Sequence, residues 1–186
     1  MTTAASLTLA DAVLPRGRTQ RDALLVLGFG ALLAASSQIS IPLPGTPVPL
    51  TLQTLAVLLA GMVLGSRRGA LAVLAWLGAG VLGLPVLATG AFTGGYLVGF
   101  VAAAFLVGLL AERRWDRRPA TTVAALVLGS IVIYAFGAAW LSLFVGAKAA
   151  IVQGVLPFLG GDAIKIAAAA TALPLAWSRL GRAGAR

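Results

Sequence analysis

Long apolar runs alternate along this chain with short clusters of proline, glycine or arginine, and the runs predict helical spans at 22–41, 51–65, 69–84, 96–111, 120–144 and 162–180. The first is long enough to cross a hydrocarbon core of ~30 Å at a rise of ~1.5 Å per residue. Residues 1–21 are polar and mixed in charge and read as a tail. Arg16, Arg18 and Arg21, the apolar residues 24–33 and the small Ala34, Ala35 and Ser36 also imitate a cleavable signal. The length of the tail and its Asp11, with Asp22 at the start of the run, favour an uncut first helix.

Between the first two runs, Pro42, Pro44, Pro47 and Pro49, with Gly45 among them, interrupt any helix and predict a stiff loop. Thr51 is placed to cap the second helix, with Gln53 in its first turn. Arg67 and Arg68 make a tight basic connection, and Pro85 closes the third span. The stretch 145–161 is broken by Gly154 and Pro157, too short to cross, and reads as interfacial or re-entrant. Pro174 predicts a kink in the last span.

Composition turns this pattern into a class. The chain has 186 residues, of which 60% are hydrophobic and 10% charged, and its mean hydropathy is +1.00. This is an all-α integral membrane protein, expected as a single membrane domain over 1–186 with no soluble appendage. The net charge of +9 does not indicate nucleic acid, because the basic residues cluster beside apolar segments. All of the 14 Lys and Arg except Lys148 and Lys165 fall on the tail, at Arg67 and Arg68, around Arg113 to Arg118, or near the C-terminus. The bias of basic loops toward the cytoplasm then predicts a six-transmembrane-helix bundle with both termini cytoplasmic. The proline loop, the loop before Tyr96 and the 145–161 stretch would lie on the outer side.

Candidate chemistry narrows to few residues. Cysteine and histidine are absent, which removes disulfides, thiolate nucleophiles, imidazole bases and most transition-metal sites. Neither a phosphate-cradling Gly-rich Lys motif nor a zinc-protease motif occurs, and one intramembrane carboxylate makes no paired-carboxylate site. The chain reads as a binding subunit, not an enzyme, with no cofactor of its own. Asp162 and Lys165, three apart, share a helix face at the start of the sixth span. Ionisable groups in a membrane segment are costly and so point to a ligand, a mutual ion pair, or both. A carboxylate accepts N–H bonds from an amide-like head group, and an ammonium donates to its carbonyl. Asp162 after Gly160 and Gly161 is also placed as a helix cap, and the pair alone would let a helix start below the surface. Gln53 and Tyr96, at outer helix ends, are further pocket candidates; surface solvation is the alternative for Gln53, and interfacial anchoring is the ordinary reading of Tyr96. Lys148 and Gln153 are weaker candidates. The four tryptophans read as belt or bundle residues, and the outer prolines as a preformed rim or as plain helix breaks. Ala31 and Ala35 stand four apart, a spacing that lets another helix approach closely, although an alanine-rich chain produces it by chance as well.

Four motifs give a more specific indication. Pro47-Val48-Pro49-Leu50-Thr51-Leu52-Gln53-Thr54-Leu55-Ala56-Val57-Leu58-Leu59-Ala60-Gly61, Gly65-Ser66-Arg67-Arg68-Gly69-Ala70, Thr93-Gly94-Gly95-Tyr96-Leu97-Val98-Gly99-Phe100 and Gly161-Asp162-Ala163-Ile164-Lys165 occur in that order. Together they closely resemble the BioY family, the biotin-specific substrate-binding subunits (S components) of energy-coupling factor transporters. The resemblance implies a six-helix bundle in the cell membrane that binds biotin at the outer face. It implies partners too: a membrane-embedded coupling subunit and two ATPase subunits, the bilayer around them, and no nucleic acid. Asp162 and Lys165 would contact biotin's ureido ring, Gln53 and Tyr96 would join the pocket, and Ala31 and Ala35 would dock the coupling subunit. The 87–93 loop is shorter than is usual in that family and lacks an asparagine or charged residue for biotin's carboxylate. An S component for another vitamin, or a structural or assembly subunit, are the alternatives.

Overall fold

A computed structural model describes residues 8–14, 19–87 and 90–183, and within them the chain is all-α apart from one two-residue strand pair. A short α1 (Leu9–Val13) precedes α2 (Thr19–Gln38), β1 (Ser40–Ile41) and β2 (Leu50–Thr51). Then follow α3 (Gln53–Leu64), α4 (Ser66–Val81), α5 (Gly94–Glu112), α6 (Pro119–Val145), α7 (Ala147–Gly154) and α8 (Leu159–Ala183). Each of the six apolar runs therefore forms one helix. Arg16, Arg18 and Arg186 lie outside the described residues, as does the side chain of Arg182.

Several boundaries move for physical reasons. Arg67 and Arg68 are not a loop: the whole connection is Gly65, whose φ of 88° turns the chain directly from α3 into α4. Thr51 does not cap α3 but pairs in β2, and its hydroxyl accepts from the Gln53 backbone N–H at 3.3 Å. Asp162 is not the cap of the last helix, because Gly160 and Gly161 are already helical and put it in the first turn. α8 continues through Pro174. Within 145–161 the chain makes the short α7 and a 3-10 turn at Leu156–Phe158.

The bundle is organised on α5, which packs against α3, α4 and α6 and buries Phe100, Ala103, Ala104 and Val107. Small residues bring backbones together here. A Cβ on Gly61 would overlap the Ala104 carbonyl, one on Gly108 would overlap the Ser66 amide, and one on Gly69 would come within 2.7 Å of the Gly61 Cα. Under this contact the Glu112 carboxylate accepts from the Ser66 N–H and hydroxyl, both at 2.8 Å, neutralising the N-terminus of α4. Beside it Arg68 joins Asp11 and Asp22 at 2.9 and 3.0 Å, and Arg21 joins Asp11 at 2.9 Å, which fastens α1 and α2 to the start of α4.

Facing outward are large apolar side chains such as Leu24, Leu143 and Ile164. A soluble protein would not carry so many, and hydrocarbon is their natural solvent. Ala91–Glu112, Pro119–Val145 and Ala147–Leu180 are long and apolar enough to cross a membrane, whereas α3 is apolar but shorter.

Candidate ligand-binding site

The polar centre of the molecule is built where α3, α6 and α8 meet. Asp162, in the first turn of α8, profits from the partial positive charge of a helix N-terminus, and Lys165 lies one turn further on the same face. Lys165 Nζ donates to Asp162 Oδ1 at 2.8 Å, to the Thr54 hydroxyl at 2.7 Å and to the Thr51 carbonyl at 2.8 Å. The Thr54 hydroxyl in turn donates to Asp162 Oδ1 at 3.2 Å, and the Tyr134 hydroxyl donates to Oδ2 at 2.6 Å. The Lys165 and Asp162 side chains are only 12% and 8% exposed, so the pair is nearly dry. Removing two charges from water costs several kcal/mol per ion, roughly, and close hydrogen-bonded geometry is what offsets it. Ile164, between them in sequence, points away and is exposed.

Beside this cluster lies a cavity of about 50 Å³, within a cleft whose empty volume, mouth included, is about 540 Å³. Leu97, Phe100, Ile133 and Phe158 form apolar walls, and Val48, Pro49 and Leu50 of the proline segment form the rim. The rim is held by the antiparallel β1–β2 pair, which sets Ser40 opposite Thr51 and Ile41 opposite Leu50. Tyr96 is seated by two glycines: a Cβ on Gly137 would overlap its ring and one on Gly154 its hydroxyl, which donates to the Gly154 carbonyl at 2.7 Å. Gln53 is buried, and its amide nitrogen has no hydrogen-bond partner among the described residues. Buried polar groups are rarely left so, and each exception calls for an explanation.

All four pocket residues expected from the sequence, Gln53, Tyr96, Asp162 and Lys165, line this one cleft. Lys148 and Gln153 do not; they border a separate, open groove beside α7. Ala31 and Ala35 are exposed on α2 and take no part in the cleft. Sequence reasoning missed the roles of Thr54 and Tyr134. Thr54 stands three residues after Thr51, and Tyr134 is a phenol in the middle of a long apolar helix, where its hydroxyl needs a buried partner. No group of three or more His, Cys, Asp or Glu side chains that could hold a metal occurs among the described residues.

Fold and site together define a helical membrane bundle enclosing a pocket with apolar walls and a few fixed polar groups, the form of a small-solute binding protein. Residues 5–182 match the BioY family, and the chain belongs to it. A biotin transporter BioY of Thermotoga maritima is 43% identical over 151 residues, covering 76% of this chain and 87% of that protein. A probable biotin transporter BioY of Pyrococcus horikoshii is 40% identical over 157 residues, covering 80% and 91%. In three dimensions the chain resembles the crystal structure of the S-component for biotin from an ECF-type ABC transporter. That likeness has a TM-score of 0.70 at 24% identity, over 86% of this chain and 93% of the other, and establishes the common fold.

Proposed function

We propose that this chain binds biotin from outside the cell and serves as the substrate-specific subunit of an ECF-type transporter, with ATP hydrolysis left to partner subunits. The observation that carries this reading is the convergence of Gln53, Tyr96, Asp162 and Lys165, from three different helices, on one cleft in a BioY-family chain. Biotin's ureido ring offers two N–H donors and a carbonyl acceptor, matching a buried carboxylate beside amide and hydroxyl groups. Its ring carbons and aliphatic chain suit the walls of Leu97, Phe100, Ile133 and Phe158. The cleft, about 540 Å³ with its mouth, falls within the roughly 300–1,000 Å³ of pockets that enclose small molecules.

In this reading the six helices formed by the apolar runs cross the membrane with both termini in the cytoplasm. The arginines around Gly65 and between α5 and α6 mark one end, and the proline rim and cleft the other. The 12-residue α3, about 18 Å long, reaches across only with its flanking segments. Ala31 and Ala35 present an exposed small-residue stripe to the membrane-embedded coupling subunit. Ala31→Trp should leave biotin binding unchanged and abolish co-purification with that subunit.

Equilibrium binding of labelled biotin to the detergent-purified chain tests the central reading, and saturable binding is the expected result. Competition by thiamine or riboflavin but not biotin would select an S component for another vitamin. The complete pairing of Lys165 favours one second reading, in which the cluster only ties α3, α6 and α8 together as in a structural subunit. Exchanging the charges, Asp162→Lys with Lys165→Asp, would leave such a protein fully functional and should abolish uptake in ours.

A further inference from the structure

We propose that Gln53, and not Lys165, reads the ligand's carbonyl oxygen, while Lys165 is a positioning residue that sets the distance between Gln53 and Asp162. The inference deepens the biotin reading and rests on it.

Donor capacity is the starting point. An ammonium has three N–H groups, and those of Lys165 already meet three acceptors at 2.7–2.8 Å: Thr51 O, Thr54 Oγ1 and Asp162 Oδ1. Nothing is left on Lys165 for a ligand unless one of these bonds breaks in a nearly dry site. Asp162 Oδ1 is likewise filled by Lys165 and Thr54, but Oδ2 accepts only the Tyr134 hydroxyl. A carboxylate oxygen has two lone pairs, so Oδ2 retains one place for a ligand N–H. Opposite in chemistry is the Gln53 amide nitrogen, a buried donor with no partner that lines the same cleft. A cyclic urea needs one such donor for its oxygen and one such acceptor for an N–H.

The contacts of Lys165 fit the other half of the proposal. Two of them are to Thr51 and Thr54, which flank Gln53 closely in sequence, and the third is to Asp162, one turn earlier on its own helix face. The ammonium thus clamps the first turn of α3 to the first turn of α8. Tyr134, from α6, fixes the other carboxylate oxygen.

The test uses 2-iminobiotin, whose ureido oxygen is replaced by an imino nitrogen that carries a proton at neutral pH and therefore donates where biotin accepts. Affinities of biotin and iminobiotin are measured for the purified wild type, Gln53→Glu and Gln53→Met. The wild type should prefer biotin. Gln53→Met should lose roughly 10- to 100-fold for biotin with iminobiotin nearly unchanged, since a lost partner to a buried group costs about 1–3 kcal/mol. Gln53→Glu should reverse the preference, its carboxylate accepting from the imino group. If Gln53→Glu does not fold, the neutral Gln53→Met, of similar size, decides the question by itself. Either variant keeping the wild-type ratio of affinities would overturn the proposal and return the carbonyl to Lys165. A wild type that binds neither compound would instead refute the biotin reading itself.

Discussion

Two junctions of this bundle are held together by opposite means. At the junction of α3, α4 and α5, Gly61, Gly69 and Gly108 let backbones touch, and the fit is chiefly steric, with the Glu112–Ser66 hydrogen bonds at its edge. At the junction of α3, α6 and α8, the fit is electrostatic: one carboxylate, one ammonium and three hydroxyl or carbonyl groups complete one another. A steric junction has a single arrangement, because a packed interior yields little to added volume. A hydrogen-bonded one can keep an unfilled position, such as the second lone pair of Asp162 Oδ2, so the chain can hold its shape at the first junction and take on a ligand at the second. A binding site needs that difference.

The largest effect should come from disturbing the steric side. Gly61→Leu drives a side chain into the Ala104 carbonyl and Val107, which backbone cannot relieve cheaply. A loss of about 3 kcal/mol or more is expected, at the upper end for overpacked cores. It should appear as a collapse of the folded fraction in thermal unfolding, with ligand binding lost only because folding is lost. Tyr134→Phe should act mainly on binding. Removing its bond to Asp162 Oδ2 should weaken the Kd roughly 5- to 30-fold, while stability falls by only about 1 kcal/mol as the buried carboxylate loses one donor. A variant that loses its fold as Gly61→Leu does would erase the proposed contrast between the junctions.

A smaller effect is expected outside both junctions, in the turn between α5 and α6. Asp116 is fully buried there and accepts from the Trp177 indole, with Arg117 stacked 4.0 Å above the Trp177 ring. Burial raises its pKa, against the opposing hydrogen bond from Trp177 and the positive charge of Arg117. The folded chain then holds this proton more tightly than the unfolded one, so the wild type gains stability as pH falls through the carboxylate range. Asp116→Asn carries no such charge. The variant should be slightly more stable near neutrality, and the wild type should close the gap as the solution is acidified. A gap that widens on acidification would show a carboxylate stabilised by its surroundings.

Much of this was legible in the sequence, and the exceptions have a common cause. The helices follow from apolar runs punctuated by glycine, proline and arginine, and the intramembrane pair follows from its cost in hydrocarbon and its three-residue spacing. Gln53 and Tyr96, which line the cleft, stand out in the sequence because they are polar groups at helix ends in a greasy chain. What stayed hidden depends on neighbours distant in sequence. The seat of Tyr96 needs Gly137 and Gly154, the role of Tyr134 needs Asp162, and Gly61 matters because Ala104 faces it. Local rules also misplaced the start of the last helix, since two glycines before Asp162 read as a break although tertiary packing keeps them helical.

The central claim is that Asp162 and Lys165 form a ligand site, Asp162 receiving a polar vitamin and Lys165 holding the site's groups in place, and are not merely an ion pair that ties helices together. Its most direct test is equilibrium binding of labelled biotin to the wild type and to Asp162→Asn with Lys165→Met, each with its Tm measured. Replacing both members of a buried pair by neutral groups of similar size is often close to neutral for folding. Saturable binding to the wild type, and a loss of about 100-fold or more in a double variant that keeps its Tm, is the predicted result. A double variant that binds biotin as tightly as its parent would contradict it.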